Sequence, residues 1–257
     1  MTVENRVVIV TGGSSGIGKG IARVLCEKGY RVAITGRDAE KLERARSEIE
    51  KSDGQVLTIP MDVRNVEQVG EMIRRTKESF GQIDGLVNNA AGNFLVKAEE
   101  LSLNGWKAVI DIVLNGTWYC TQALAKEWIA DGTRGSIVNI VATYAWTGAA
   151  GVVHSAAAKA GVLAMSRSLA VEWGSRYGIR INCVAPGPIE NTGGTEKLIA
   201  SEQAYRHLLQ TIPAKRLGRP EEVGNLVAFL LSPEAEYING DCVTIDAGFW
   251  MTGSRLM

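Results

Sequence analysis

The chain is poor in the residues that build metal centres and disulfide frameworks. It has two histidines and four cysteines in 257 residues, and Cys26, Cys120, Cys183 and Cys242 lie far apart in apolar stretches. No CxxC pair or Cys/His cluster occurs, so no metal ligands are expected. The thiols are expected to be free, in a reducing cytoplasm. A charge excess is also missing: 28 basic residues balance 28 acidic ones, which argues against nucleic acid or an anionic membrane as the main partner. No apolar run approaches the roughly 20 residues that span a bilayer. MTVENRVVIVTGG enters a strand pattern directly, with no cationic segment and cleavable apolar stretch of an export signal. What remains is an ordinary globular composition, 46% hydrophobic and 22% charged.

Short β-branched runs alternate with longer stretches of helical period. RVVIVT (6–11), RVAITG (31–36), QVLTIP (55–60), GLVNNA (85–90), SIVNIVAT (136–143), IRINCVAP (179–186) and DCVTIDAG (241–248) read as seven strands. Strands that are apolar throughout, with helices between them, predict a parallel sheet covered on both faces. Right-handed crossovers then lead to a single doubly wound Rossmann domain spanning 1–257, of α/β class. The stretch 190–219 follows Pro-Gly-Pro and contains Gly193 and Gly194. It reads as a flap over a substrate.

The first strand runs into TGGSSGIG (11–18) and then an amphipathic helix. Glycines let a backbone turn sharply against a ligand, and the helix start offers free N–H groups to a pyrophosphate. The second strand ends in Gly36-Arg37 rather than at an acidic residue. A carboxylate there would favour a free ribose 2′-hydroxyl, whereas a cation favours a 2′-phosphate, so NADP(H) is expected. Asp38 reads as the cap of the following helix. Asp62-Val63 and Asn88-Asn89-Ala90 close the third and fourth strands, at the same sheet edge.

TGGSSGIG, NNAAG, SAAAK (155–159) and PGPI (186–189), spaced along nearly the whole chain, resemble the short-chain dehydrogenase/reductases. The resemblance implies nicotinamide chemistry and a homotetramer built through the fourth and fifth helices. It also implies cofactor contacts from Gly12, Ser14, Ser15, Gly16, Ile17, Gly18, Arg37, Asp62, Val63, Asn89, Lys159, Pro186, Gly187 and Ile189.

One departure bears on the reaction. The family reduces ketones with a serine and a YxxxK pair, but the tyrosine position here is Ser155 and the serine position is Ala142. A serine hydroxyl is a far weaker acid than a phenol and is no substitute as proton donor. Lys159 survives, on the same helix face as Ser155, and Tyr144 stands just past the fifth strand. With NNAAGNF, LNGT (114–117) and SxxxK, this pattern is similar to the 2,4-dienoyl-CoA reductase branch. That likeness implies hydride addition to C5 of a dienoyl thioester, in unsaturated fatty acid breakdown. Tyr144 and Asn115 would bind the thioester oxygen, Ser155 would support, and Lys159 would hold the ribose. Phe94 and Trp146 are expected in the acyl pocket, and His154 ranks below Tyr144 as a catalytic group. The alternatives are a carbonyl or 3-oxoacyl reductase and a non-catalytic NADP(H)-binding sensor.

Overall fold

Runs of β-branched residues become strands buried on both faces. The computed structural model describes residues 4–50, 54–193, 195 and 201–253. Its strands are β1 (Val7–Thr11), β2 (Arg31–Gly36), β3 (Gln55–Pro60), β4 (Gly85–Asn88), β5 (Ser136–Ile140), β6 (Arg180–Pro186) and β7 (Cys242–Ile245). They form one seven-stranded sheet in the order β3-β2-β1-β4-β5-β6-β7, and every pair is parallel. The order reverses direction between β1 and β4, which opens a crevice at the carboxyl ends of those strands.

Alternation along each strand divides the core in two. Val8 and Val10 face a layer that includes Ile21 and Leu25 of α1 (Gly16–Glu27). Val223 and Val227 of α9 (Pro220–Leu231) complete that side. Val7 and Ile9 face the opposite layer, with Val69 and Met72 of α3 (Val66–Phe80) and Leu124 and Trp128 of α5 (Gly116–Asp131). The helix α2 (Ala39–Ile49) starts at Asp38, whose carboxylate accepts the Lys41 N–H at 3.0 Å, as expected for the cap.

The differences from the sequence reading that matter for the site lie beside the crevice. β4 stops at Asn88 because the next two N–H groups, of Asn89 and Ala90, donate to Thr11 Oγ1 at 3.0 Å. The stretch that follows is divided into several elements. The helix α4 (Leu103–Ile110) passes into a π-helical turn at Asp111–Asn115 before α5 begins. Gly116, at that junction, packs against Val63: a Cβ there would lie 2.6 Å from the valine Cγ2. Past β5, the one-turn helix α6 (Tyr144–Thr147) is separated from α7 (Val153–Tyr177) by Gly148 and Gly151, both at positive φ. The separation lets α6 set its own direction at the sheet edge.

On α7, the buried residues Ser155, Ala158, Lys159, Val162, Ser166, Leu169 and Trp173 recur three and four apart, so one face lies on the sheet. The 190–219 segment is pinned at its base by a bridge between Ile189 and Gly218. Glu190 N–H donates to Gly218 O at 2.9 Å and Gly218 N–H to Pro188 O at 3.0 Å. Its described part carries α8 (Glu202–Thr211), and 194 and 196–200 lie outside the described residues. Among the described residues, no helix is long and apolar enough to cross a membrane.

Candidate active site

The glycine-rich turn is shaped for a dinucleotide. Gly12 and Gly16 adopt φ +66° and +51°, conformations that a side chain disfavours. A Cβ on Gly18 would stand 2.3 Å from Gly12 O and 2.5 Å from the Asn89 amide, so only glycine lets α1 approach this closely. Asn89 fixes the turn from the neighbouring strand, donating from Nδ2 to Thr11 O at 3.0 Å and Gly12 O at 3.2 Å. The Ser15 side chain makes no bond to the first turn of α1, which leaves helix N–H groups facing the crevice for a pyrophosphate. Ile17 packs on the core beneath, and Ser14 Oγ lies beside Gly36.

At the second strand tip Arg37 is exposed. Asp62 holds Arg64 through both carboxylate oxygens, at 3.0 and 3.1 Å from Nε. That ion pair draws the Asp62 carboxyl below its ordinary pKa. On the far side, Gly187 N–H donates to Ile245 O at 3.0 Å. A Cβ on Gly187 would meet Asp246 at 2.6 Å, so Pro186–Ile189 runs tightly along the crevice. These surroundings fit a dinucleotide along the sheet edge.

The hydroxyls of Tyr144 and Ser155 meet at 3.1 Å. Lys159, one turn after Ser155, is buried and donates from Nζ to Ile140 O at the end of β5. Burial lowers its pKa to about 8. Burial also raises the Tyr144 pKa, while the Ser155 hydrogen bond pulls it down. Ala142 is buried beside the pair and supplies no hydroxyl. Under Lys159 a polar ladder joins the elements: Asn88 donates to Asn139 at 2.8 Å and to Thr121 at 2.9 Å, and Asn139 donates to Ser166 at 2.8 Å. Asn139 escaped the sequence reading because an amide inside an apolar strand carries no motif.

Asn115 makes its described hydrogen bond elsewhere. Its neighbours Val113 and Leu114 belong to the cluster packed against α7 with Ala158 and Val162. Beyond them the amide of Asn115 turns to Asp111, donating from Nδ2 to Oδ1 at 3.0 Å. Lys107 holds the other oxygen of Asp111. In this structure the half-buried amide of Asn115, at the end of the π turn, thus holds Asp111. The loop leaving β4 offers a different amide, Asn93. Its Oδ1 accepts the Phe94 N–H at 2.9 Å. It is the third asparagine of NNAAGNF and precedes the aromatic residue expected in the pocket.

Phe94 is half-buried, and its ring lies 4.5 Å from that of His154. His154 is buried with neither ring nitrogen hydrogen-bonded, and burial lowers its pKa. Trp146 contacts Trp250 edge to face at 5.8 Å. The four cysteines are free, and all but Cys242 are buried.

The arrangement matches known proteins over its length. The profile of the Enoyl-(Acyl carrier protein) reductase family covers residues 12–250. A Bacillus anthracis crystal structure of a short chain dehydrogenase is 54% identical with TM-score 0.90, covering 98% of this chain and 99% of that one. The chain is a short-chain dehydrogenase/reductase. As a member of that family it is an oxidoreductase that uses a nicotinamide cofactor. Two similar family members have more specific names. A Bacillus subtilis protein, named a probable 2,4-dienoyl-CoA reductase that produces (2E)-enoyl-CoA, is 56% identical over 97% of this chain and 98% of its own length. A peroxisomal 2,4-dienoyl-CoA reductase of Danio rerio, named for a (3E)-enoyl-CoA product, is 40% identical over 98% of this chain and 84% of its own length.

Proposed function

We propose that this short-chain reductase converts 2,4-dienoyl-CoA thioesters to enoyl-CoA with NADPH, in unsaturated fatty acid breakdown. The observation that carries the reading is the 3.1 Å contact of Tyr144 and Ser155 above buried Lys159. A phenol enters from position 144 to the place where the family's usual tyrosine would start, while the lysine keeps its station. The reading is supported by the relatives named for this reaction.

When bound, the nicotinamide supplies a hydride to C5, the far end of the conjugated system. The electron pair displaced by that addition spreads over the dienolate and onto the thioester oxygen. Tyr144 donates its hydroxyl hydrogen bond to this oxygen, and the Asn115 amide is the second donor. A donor aimed at a developing oxyanion is worth about two to three orders of magnitude in rate. Ser155 holds the phenol by its own hydrogen bond, and Lys159 supports the pair while holding the nicotinamide ribose. A solvent proton then ends on carbon and completes the reduction. The reaction thus needs its oxyanion donor away from the carbon that receives hydride, which is what a displaced phenol provides.

Arg37 beyond Gly36 favours NADP(H), since a guanidinium matches a 2′-phosphate. Pro188, Ile212, Ala214, Arg216 and Asp246 line a cavity at the base of the 190–219 segment, which supports its role as a substrate flap. Leu103, Trp106, Ile129 and Val171 leave apolar surface exposed on α4, α5 and α7, supporting a homotetramer through those helices. The compartment that suits four free thiols is the cytoplasm.

Replacing Tyr144 by Phe tests the assignment. Turnover of a dienoyl-CoA is expected to fall about 100- to 1000-fold, with the NADPH dissociation constant within twofold of wild type. Wild-type turnover in Y144F would remove the phenol from the mechanism.

A further inference from the structure

We propose that Trp146 and Trp250 form a platform that grips the acyl chain beyond the reacting double bonds, so that the enzyme favours longer dienoyl chains. The proposal rests on the dienoyl-CoA reading above. Trp146 lies two residues after Tyr144 on the same one-turn helix, at the sheet edge that carries the catalytic phenol. Trp250 comes from the other end of the chain, on the turn that follows β7. That turn is held firmly: the Asp246 carboxylate accepts the Gly248 N–H at 2.9 Å and the Trp250 N–H at 2.8 Å.

The two indoles meet edge to face at 5.8 Å and 90°, a favourable aromatic geometry. Nevertheless they remain 39% and 40% exposed. Two of the largest apolar side chains thus keep uncovered area at the sheet edge of the active phenol, positioned by one another and by Asp246. A hydrocarbon tail covers such area with a gain for each methylene, whereas a small or polar carbonyl substrate gains little from it. The six-carbon dienoyl group ends one carbon past C5, but a ten-carbon group carries four further carbons to lie on the indoles.

Steady-state kinetics of wild type, W250A and W250F on 2,4-hexadienoyl-CoA and 2,4-decadienoyl-CoA test this. In W250A the KM for the ten-carbon substrate is expected to rise about tenfold. The KM for the six-carbon substrate and both kcat values should stay within twofold, and W250F should recover most of the loss. Equal changes on both substrates, or an unchanged or lower KM for the ten-carbon substrate, would overturn the platform. Size-exclusion chromatography should show the same oligomer in W250A. A changed oligomer with equal effects on both chains would make Trp250 a subunit contact instead.

Turnover by the wild type separates the two claims. If it reduces neither dienoyl-CoA, the reaction assigned above fails. Calorimetric binding of decanoyl-CoA against hexanoyl-CoA then still decides the platform, because the preference for decanoyl-CoA must shrink about tenfold in W250A.

Discussion

Lys159 ties the chemistry of the site to a measurable pH signature. Its ammonium is buried and donates to the Ile140 carbonyl, and burial holds its pKa at about 8, below the ordinary value of about 10.4. Between those two values the unfolded chain binds a proton that the folded chain has lost. Stability therefore rises as pH climbs from about 8 towards 10.4, and this contribution is absent below about 8. The full span corresponds to about 3 kcal/mol. On the proposed roles catalysis moves the other way, since a cation supporting Tyr144 and the ribose would disappear above about 8. Thermal unfolding of wild type and K159M between pH 7 and 10 is expected to show a rising difference, while wild-type kcat/KM falls. Parallel stability curves for the two proteins would contradict the placement of a buried, titrating lysine.

At the scale of elements, the junction of α4 and α5 joins the cofactor edge to the catalytic layer. Gly116 begins α5 where Val63 lies against it, and Val63 adjoins Asp62 at the nucleotide end. In G116A the new methyl must displace that valine, at a cost of about 1–3 kcal/mol. The displacement should also weaken NADPH binding several-fold. Chemical denaturation and a cofactor titration check both, and wild-type values in each would contradict the contact. This junction is also where the sequence misled. The apolar period runs unbroken through α4 and α5, and DIVLN consists of residues that an ordinary helix accepts. Nothing local marks a π turn, so the change of helix at Asp111–Asn115 was not legible. The glycine turn was legible because a Cβ at Gly18 has no room, a constraint that leaves few other residues possible. The displaced phenol was legible for a related reason: a one-turn helix past β5 has only one edge of the sheet to face. The indole pair was not legible as a pair, since two distant tryptophans have no register with each other until the sheet is assembled.

In the whole molecule, parallel strands send all their carboxyl ends to one edge. There the glycine turn, Asn89, Asn93, Tyr144 and the turn after β7 gather from distant parts of the chain. Seven apolar strands made that architecture readable from sequence, because a strand buried on both faces permits few other sheets. Which substrate the edge serves depends on one displaced hydroxyl, a matter of position that composition does not carry. The central claim is that this hydroxyl serves a conjugated thioester. The most direct measurement is cofactor oxidation by the purified protein, with NADPH and NADH in turn, on 2,4-hexadienoyl-CoA, an enoyl-CoA and a 3-oxoacyl-CoA, with the product of the dienoyl reaction identified. The account predicts rapid NADPH oxidation on the dienoyl-CoA alone, slower with NADH, and an enoyl-CoA product. Turnover of the 3-oxoacyl-CoA with none on the dienoyl-CoA would contradict it.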